Sequence, residues 1–168
     1  LPMGGLRDLS VSAAFIGVAV AILVIAAEIP YSPGTLHVQI SSVVPVGKGV
    51  VECYRTGSAR LPEVAIYVNL SNTKSSPVYV TSVYVNGVPV NMTSIASVYN
   101  GSKPEVFNST KPDLVPIESG LNHLTIRGVL VRNLNSSNGA SVLVQLMFSD
   151  GEISFVPSTL EVINATRA

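Results

Sequence analysis

Hydrophobic and polar positions follow two different patterns along the 168 residues of this chain. Residues 9–27 read LSVSAAFIGVAVAILVIAA, a run of apolar and small residues with no charge on any side. As a helix, this run spans about 28 Å, close to the hydrocarbon thickness of a bilayer. From residue 36 onward apolar and polar positions alternate, which predicts β-strands. The pattern therefore divides the chain into a hydrophobic helix (residues 1–30), a hinge (31–35) and a β head (36–168).

The head contains runs of period two that are rich in Val, Ile, Thr and Tyr. The clearest runs are residues 36–40, 64–68, 78–85, 124–127 and 142–148. Asn86-Gly87 and Asp150-Gly151 each lie between two runs and favour hairpin turns. We therefore expect an α+β fold class, with a long N-terminal hydrophobic α-helix followed by an all-β, immunoglobulin-like antiparallel sandwich head.

The hydrophobic helix could be a cleavable secretory signal, a permanent membrane anchor, or a helix that leaves the membrane to form the core of a polymer. The chain begins at Leu1 rather than Met, which favours processing upstream of the apolar run. Pro30 disfavours helical geometry before it, and Pro33-Gly34 favours a turn, so a hinge is predicted there.

Small residues recur at every fourth position of the helix, at Ala13, Gly17 and Ala21, and so share one face. Small residues at this spacing allow helices to approach closely. If the helix packs on copies of itself, the large side chains beside this face interlock. These are Phe15, Ile16, Ile22, Leu23 and Ile25.

Charge and surface chemistry favour an exported protein without a nucleic-acid partner. Lys plus Arg and Asp plus Glu number 10 each, so the chain has no basic field for binding nucleic acid. Six sequons for N-linked sugar occur in a head rich in Ser, Thr and Asn. As a set they favour a glycosylated, extracellular surface. The acceptor candidates are Asn69, Asn91, Asn100, Asn108, Asn135 and Asn164.

No catalytic constellation is recognisable, and the chain is predicted not to be an enzyme and to need no cofactor. Cys53 is the only cysteine, so an intrachain disulfide cannot form, and its position in a strand favours a small buried residue over a reactive thiol. His37 and His123 lie far apart and lack the spacing of a metal site. Asp113 and Glu118 flank an apolar segment, but the sequence alone cannot pair them for acid and base work.

The layout resembles that of archaeal type IV pilins, relatives of the archaeal flagellins. The resemblance rests on the helix at residues 10–27, on residues 66–72 leading into 80–87, and on the late hairpin at 146–151. It implies a precursor held in the membrane, trimmed by a prepilin peptidase and extracted by pilus assembly machinery. The helices would then bundle into an extracellular, cell-surface filament of copies of this chain, serving adhesion.

Two other functions stay open at this point. An archaeal flagellin of a swimming filament shares the helix and the head, although its helix typically begins with more glycine. A membrane-anchored extracellular binding domain would have the same layout and would never polymerise. In this chain the apolar run begins only at Leu9, behind the charged Arg7 and Asp8, whereas many pilins are apolar almost from their first mature residue.

Overall fold

The computed structural model describes residues 42–56, 60–101, 103 and 105–165, which form nine β-strands and one short 3₁₀ turn. The 3₁₀ turn covers Pro112–Leu114 and precedes the seventh strand. The strands are β1 (Val43–Pro45), β2 (Gly49–Thr56), β3 (Glu63–Asn72), β4 (Val80–Val85), β5 (Val88–Tyr99), β6 (Glu105–Ser109), β7 (Gly120–Leu130), β8 (Ser141–Phe148) and β9 (Ile153–Ala165).

Seven of these strands form a closed ring. Around the ring the order is β3, β2, β9, β8, β4, β5 and β7, and β7 returns to β3. All neighbouring pairs are antiparallel except β2 and β9, which run parallel from Gly49↔Ser158 to Thr56↔Ala165. The short strand β1 continues the line of β2 along β3, and β6 pairs with the last part of β5. Closure gives the sheet an inside and an outside.

Apolar side chains from all seven strands of the ring fill its inside, because period two sends alternate residues to the same face. Val, Ile and Leu dominate this core. Among the largest fully buried side chains are Ile66, Leu70, Ile95, Leu124, Ile126, Leu130, Leu146 and Leu160. Two buried asparagines hold the loops at one end: Asn72 donates to the carbonyl of Ile117, and Asn122 donates to that of Glu118.

The structure corrects the predicted fold class. Within the described residues every regular element is a strand apart from the 3₁₀ turn, so α+β is wrong for this part of the chain. The immunoglobulin-like sandwich is also wrong, because a sandwich packs two separate sheets whereas β7 here joins β3 and β5 into one closed sheet. The layout of a pilin, a helix followed by such a sandwich, therefore does not describe residues 42–165. The helix and hinge predicted for residues 1–35 lie outside the described residues.

The predicted hairpins are confirmed. Asn86 and Gly87 connect β4 to β5 with φ angles of 47° and 74°, as a two-residue turn with both central residues left-handed requires. Asp150-Gly151 lies in the turn between β8 and β9. The β4–β5 ladder has only two residue pairs, Tyr84↔Pro89 and Val85↔Val88, before the two strands diverge. The junction between β4 and β5 therefore has the fewest residue pairs of any junction in the ring.

Gly128 allows β5 and β7 to approach closely beside a bulge in β5, between Met92 and Ser94. A Cβ at residue 128 would lie 2.5 Å from the carbonyl oxygen of Asn91 and 2.6 Å from a methyl group of Val90. We therefore expect Gly128→Ala to lower the free energy of unfolding by about 1–3 kcal/mol. Thermal unfolding of the full chain in detergent, followed by far-UV circular dichroism, measures the change.

The matched control is Thr125→Ala, on the outer face of the same strand, where removing the side chain forces no backbone shift. We expect this control to change the free energy of unfolding by less than about 0.5 kcal/mol. Equal stability of the two variants would show that the β5–β7 approach tolerates a side chain.

Candidate interaction surface

Four polar residues lie together at the start of β1. We call them the anchor cluster: Ser42, Lys74, Asp150 and Glu152. The backbone N–H and the hydroxyl of Ser42 donate to the two Glu152 carboxylate oxygens, at 3.1 and 2.6 Å. Lys74 lies 3.1 Å from Glu152 and also forms an ion pair with Asp150. The start of β1 is thereby tied to the turn between β8 and β9.

Hydrogen bonding shifts the pKa of each charged group in the anchor cluster. The Ser42 hydroxyl, assisted by Lys74, lowers the pKa of the buried Glu152 carboxyl below its ordinary 4.5. Burial on its own would raise the pKa of the Asp150 carboxyl. The hydrogen bonds from Lys74 and from the backbone N–H of Glu152 outweigh this effect, so the pKa of Asp150 is lowered below 3.8. The hydrogen bonds to Asp150 and Glu152 raise the pKa of Lys74 above 10.5.

The sign of the pH dependence follows from these directions. Glu152 and Asp150 contribute their full stabilisation above about pH 4.5 and lose it as the pH falls through their lowered pKa values. Lys74 contributes fully below 10.5 and loses its contribution as the pH rises through its raised pKa. The anchor cluster is therefore strongest between these limits.

The outer face of β8 and β9 carries an uncharged, largely apolar surface beside the anchor cluster. Three cross-strand pairs form it, and neighbouring pairs on one face of an antiparallel ladder touch. We call this surface the apolar strip: Leu143↔Pro157, Gln145↔Phe155 and Met147↔Ile153. Phe155 is 51% exposed, Leu143 42% and Ile153 38%.

The first half of β9 departs in part from the usual polarity of a half-buried strand. Ile153, Phe155 and Pro157 face outward, while Ser154 and Ser158 are buried on either side of the core residue Val156. The hydroxyl of Ser154 donates to the carbonyl of Val43, and that of Ser158 donates to the carbonyl of Val156 at 3.0 Å. The inward hydroxyls are therefore satisfied, and the apolar side chains of this segment are placed on the outside.

The six sequon asparagines are all described, and five of them are exposed: Asn91, Asn100, Asn108, Asn135 and Asn164. The sixth, Asn69, is half-buried on β3, and its carboxamide oxygen lies 2.6 Å from Nδ1 of His123. None of the six lies on β4, on β8 or in residues 153–157. The sequons and the apolar strip therefore occupy different parts of the outer surface.

A polar cluster lies on the outer face of β2, β3 and β7. The carboxylate of Glu52 accepts hydrogen bonds from Tyr54 at 2.6 Å and Tyr67 at 3.1 Å. The Glu52 hydrogen bond raises the pKa of Tyr54, while burial and then Glu52 raise that of Tyr67. Next to it, Tyr54 and Arg127 border a depression of about 180 Å³ whose lining includes Ala65 and Gly128.

Residues with possible chemistry are placed as follows. Cys53 is buried in β2, as predicted, and burial raises the pKa of its thiol, which keeps it protonated. His123 is an exposed strand residue that contacts Asn69, and Asp113 lies in the 3₁₀ turn. Within the described ranges, no group of three His, Cys, Asp or Glu side chains could hold a metal ion.

The predicted assembly residues cannot be placed, because the structure describes the chain only from residue 42. This applies to Ala13, Phe15, Ile16, Gly17, Ala21, Ile22, Leu23 and Ile25, and to His37. In the part of the chain that is described, no helix is long and apolar enough to span a bilayer. The apolar strip and the anchor cluster were not among the predicted sites. An alternation with apolar residues at 153, 155 and 157 and serine at 154 and 158 was their one visible signal.

We expect Glu152→Gln to weaken the anchor cluster, since the amide loses the charge that Ser42 and Lys74 bind. At pH 7 the free energy of unfolding should fall by about 1–3 kcal/mol, the usual range for hydrogen bonds to a charged group. The difference from the native chain should shrink as the pH falls through the lowered pKa of the native Glu152 carboxyl, because protonation removes the same charge. Thermal unfolding of the full chain between pH 3 and 8 measures it.

Glu161→Gln is the matched control, because Glu161 is exposed on the outer face of β9. Its effect should stay below about 0.5 kcal/mol at every pH. A cost for Glu152→Gln that does not decrease at any acidic pH at which the native chain stays folded would contradict the role given to the Glu152 charge.

Comparisons with known proteins do not assign this chain to a family. No protein-family model matches it, and no curated protein does so either. The solved structures that match include the solution structure of Cu(I)-DR1885 from Deinococcus radiodurans, at 18% identity over 72% of this chain and 81% of that one. The TM-score of 0.35 is too low for any argument about this chain, and the copper in that description belongs to that protein.

Proposed function

We propose that this chain is an exported structural subunit, displayed on the outer surface of the cell and held there by its hydrophobic N-terminal segment. The observation that carries this function is the outward placement of all six sequon asparagines, five of them exposed. N-linked sugar requires an accessible asparagine on an exported surface. A closed sheet whose sequons faced inward would have spoken against export.

The way in which the chain enters the closed sheet supports a tethered domain. The segment 9–27 is long enough to span or enter a bilayer. Only residues 28–41 separate it from the anchor cluster, where Ser42 is fixed by Glu152. A chain anchored at one end by its sequence suits a subunit that works through its position and its contacts.

The proposed subunit differs from the pilin layout that the sequence suggested, because the described residues form one closed all-β sheet. Copies of the same chain, the membrane and N-linked glycans remain its proposed partners and modification. The peptidase and the assembly machinery implied by the resemblance would act through residues 1–41 and stay predictions. No step of the proposed function uses a cofactor or nucleic acid.

A second candidate is a membrane-anchored extracellular binding domain. The depression beside Tyr54 and Arg127 favours it, since an aromatic ring, a guanidinium group and the carboxylate of Glu63 line the same shallow site. Arg127→Ala distinguishes the two functions. A binding domain should lose capture of its ligand at the cell surface, whereas a structural subunit should keep its surface abundance and its association with copies of itself.

Glycopeptide mass spectrometry of the chain isolated from its native cells tests the proposed function. We expect glycan masses at the five exposed sequons and none at Asn69, because Asn69 is half-buried and bonded to His123. In the loop after β7, Asn135→Gln should remove the mass of one glycan. Protease treatment of intact cells should release the glycosylated head.

Asn133→Gln is the matched control, since Asn133 is exposed in the same loop but is not followed by the sequon pattern. The intact mass should fall only in the Asn135→Gln variant. A chain without glycans that is protected from external protease would overturn the proposed export.

A further inference from the structure

We infer that the apolar strip is a contact surface for a second copy of this chain, which docks strip against strip. The inference rests on the proposed function, because it uses the tethering of both copies to one membrane. It adds the surface and the partner through which the subunit associates. The strip consists of the facing pairs Leu143↔Pro157, Gln145↔Phe155 and Met147↔Ile153.

The unusual polarity of the first half of β9, with exposed apolar residues outside and two serines inside, favours an outer face that is also covered. In a strand with one solvated face, apolar residues point inward and polar residues outward. Here Ser154 and Ser158 are buried, while Ile153 and Phe155 point outward. The buried serines make fewer apolar contacts in the core than larger apolar residues would, and the larger apolar side chains of this segment lie on the outer face. A partner that covered the outer face would bury those side chains.

The chemistry of the strip fits a copy of itself. No side chain of the six carries a charge, so a partner with a charge there would lose hydration without gaining an ion pair. An identical strip meets this condition at every position. The whole chain has a formal net charge of zero, so two copies do not repel each other through net charge.

The distribution of sequons leaves this surface accessible to a protein. The six sequon asparagines lie on β3, on β5, in the loop after β5, on β6, in the loop after β7 and at the end of β9. A glycan at any of them starts outside the strip. By contrast, Val106, the most exposed large apolar residue in the described part of the chain, is adjacent on β6 to Phe107 and two residues from the sequon asparagine Asn108. Val106 therefore lies beside a glycan candidate and is not part of the strip.

Anchoring two copies in one membrane confines them to the same surface. Within each head, Met147 and Ile153 border the β8–β9 turn, and that turn is tied through Glu152 to Ser42 just before β1. Two copies related by a two-fold axis along the membrane normal would present identical strips to each other. Tethering also raises the local concentration of one copy around another, which strengthens a modest contact.

Cysteine cross-linking in native membranes tests the contact. The only native thiol, Cys53, is buried, so an added surface cysteine reports alone. Gln145 lies in the middle pair of the strip, and Gln145→Cys should give a disulfide-linked dimer of the full chain after mild oxidation. Thr125→Cys is the matched control, because Thr125 is also half-buried and uncharged but lies on the outer face of β7. We expect the dimer only from the first variant.

A second substitution tests the energetics of the strip. Adding Phe155→Asp to the Gln145→Cys chain should lower the dimer yield at least about tenfold, because it places a charge in the uncharged contact. Val106→Asp, at an equally apolar position elsewhere on the surface, should leave the yield unchanged. Far-UV circular dichroism checks that both variants remain folded, as the exposure of both side chains leads us to expect.

Each other outcome overturns the inference. Equal cross-linking of Gln145→Cys and Thr125→Cys would indicate random collisions. A monomer, or a disulfide to a different protein or none after Gln145→Cys, would exclude strip-to-strip docking. If the chain is glycosylated and exposed to external protease but gives no specific dimer, the proposed function stands and only the contact fails. If the chain is not exported, the proposed function fails whatever the cross-linking gives.

Discussion

Pairing of β7 with both β3 and β5 is the constraint on which the rest of the structure depends. The β3–β7 ladder runs through ten residue pairs, from Glu63↔Val129 to Asn72↔Gly120, and the other edge of β7 is paired with β5 along almost its whole length. This pairing turns an open sheet into a ring, so the strands within it lose the free edges at which sheets otherwise associate. Closure also assigns each side chain to the inside or the outside, since successive residues alternate. Wherever the ring is fully paired, association between copies must use outward side chains rather than strand edges.

The outer surface is not uniform, and its differences follow from the strands that build it. On β2, β3 and β7 the outward residues include a hydrogen-bonded polar group, in which Tyr54 and Tyr67 donate to Glu52. On β8 and the first half of β9 they are mostly apolar and unbonded, and the neighbouring inward positions include serine. A strand that places Ser154 inside and Phe155 outside departs from the pattern of a strand with one solvated face. The proposed contact between copies rests on that departure.

Local sequence pattern predicted β3, β4, β7, β8 and both hairpins, because period two and turn residues are properties of neighbouring positions. The strand predicted at residues 36–40 lies outside the described residues. Closure was not predicted, since the pairing of β3 with β7 joins residues such as Glu63 and Val129 that no local pattern connects. The same reason hid the anchor cluster: Ser42 and Glu152 are 110 residues apart, and each is unremarkable in its own segment. The sequons were readable directly, whereas the half-buried state of Asn69 and its bond to His123 depend on the register of β3 with β7. For the apolar strip a signal existed in the alternation of residues 153–158, but without knowing which face is inside, its direction could not be read.

The apolar strip combines exposed apolar side chains with a polar one, so it can stay in contact with water and can also contact a partner. Gln145 interrupts it, and Met147 beside Gln145 is only half-exposed, so the continuous apolar area is smaller than that of an obligate dimer, whose interface resembles a core cut in half. Such a face would bind weakly between free copies. Tethered copies can associate through a smaller contact area, because fixing two domains to one membrane already removes much of the translational entropy that they would otherwise lose on association. The anchor cluster acts within the head, where it ties Ser42 to the β8–β9 turn beside the strip. In the proposed contact, confinement of the copies to one membrane therefore compensates for the small area of the strip.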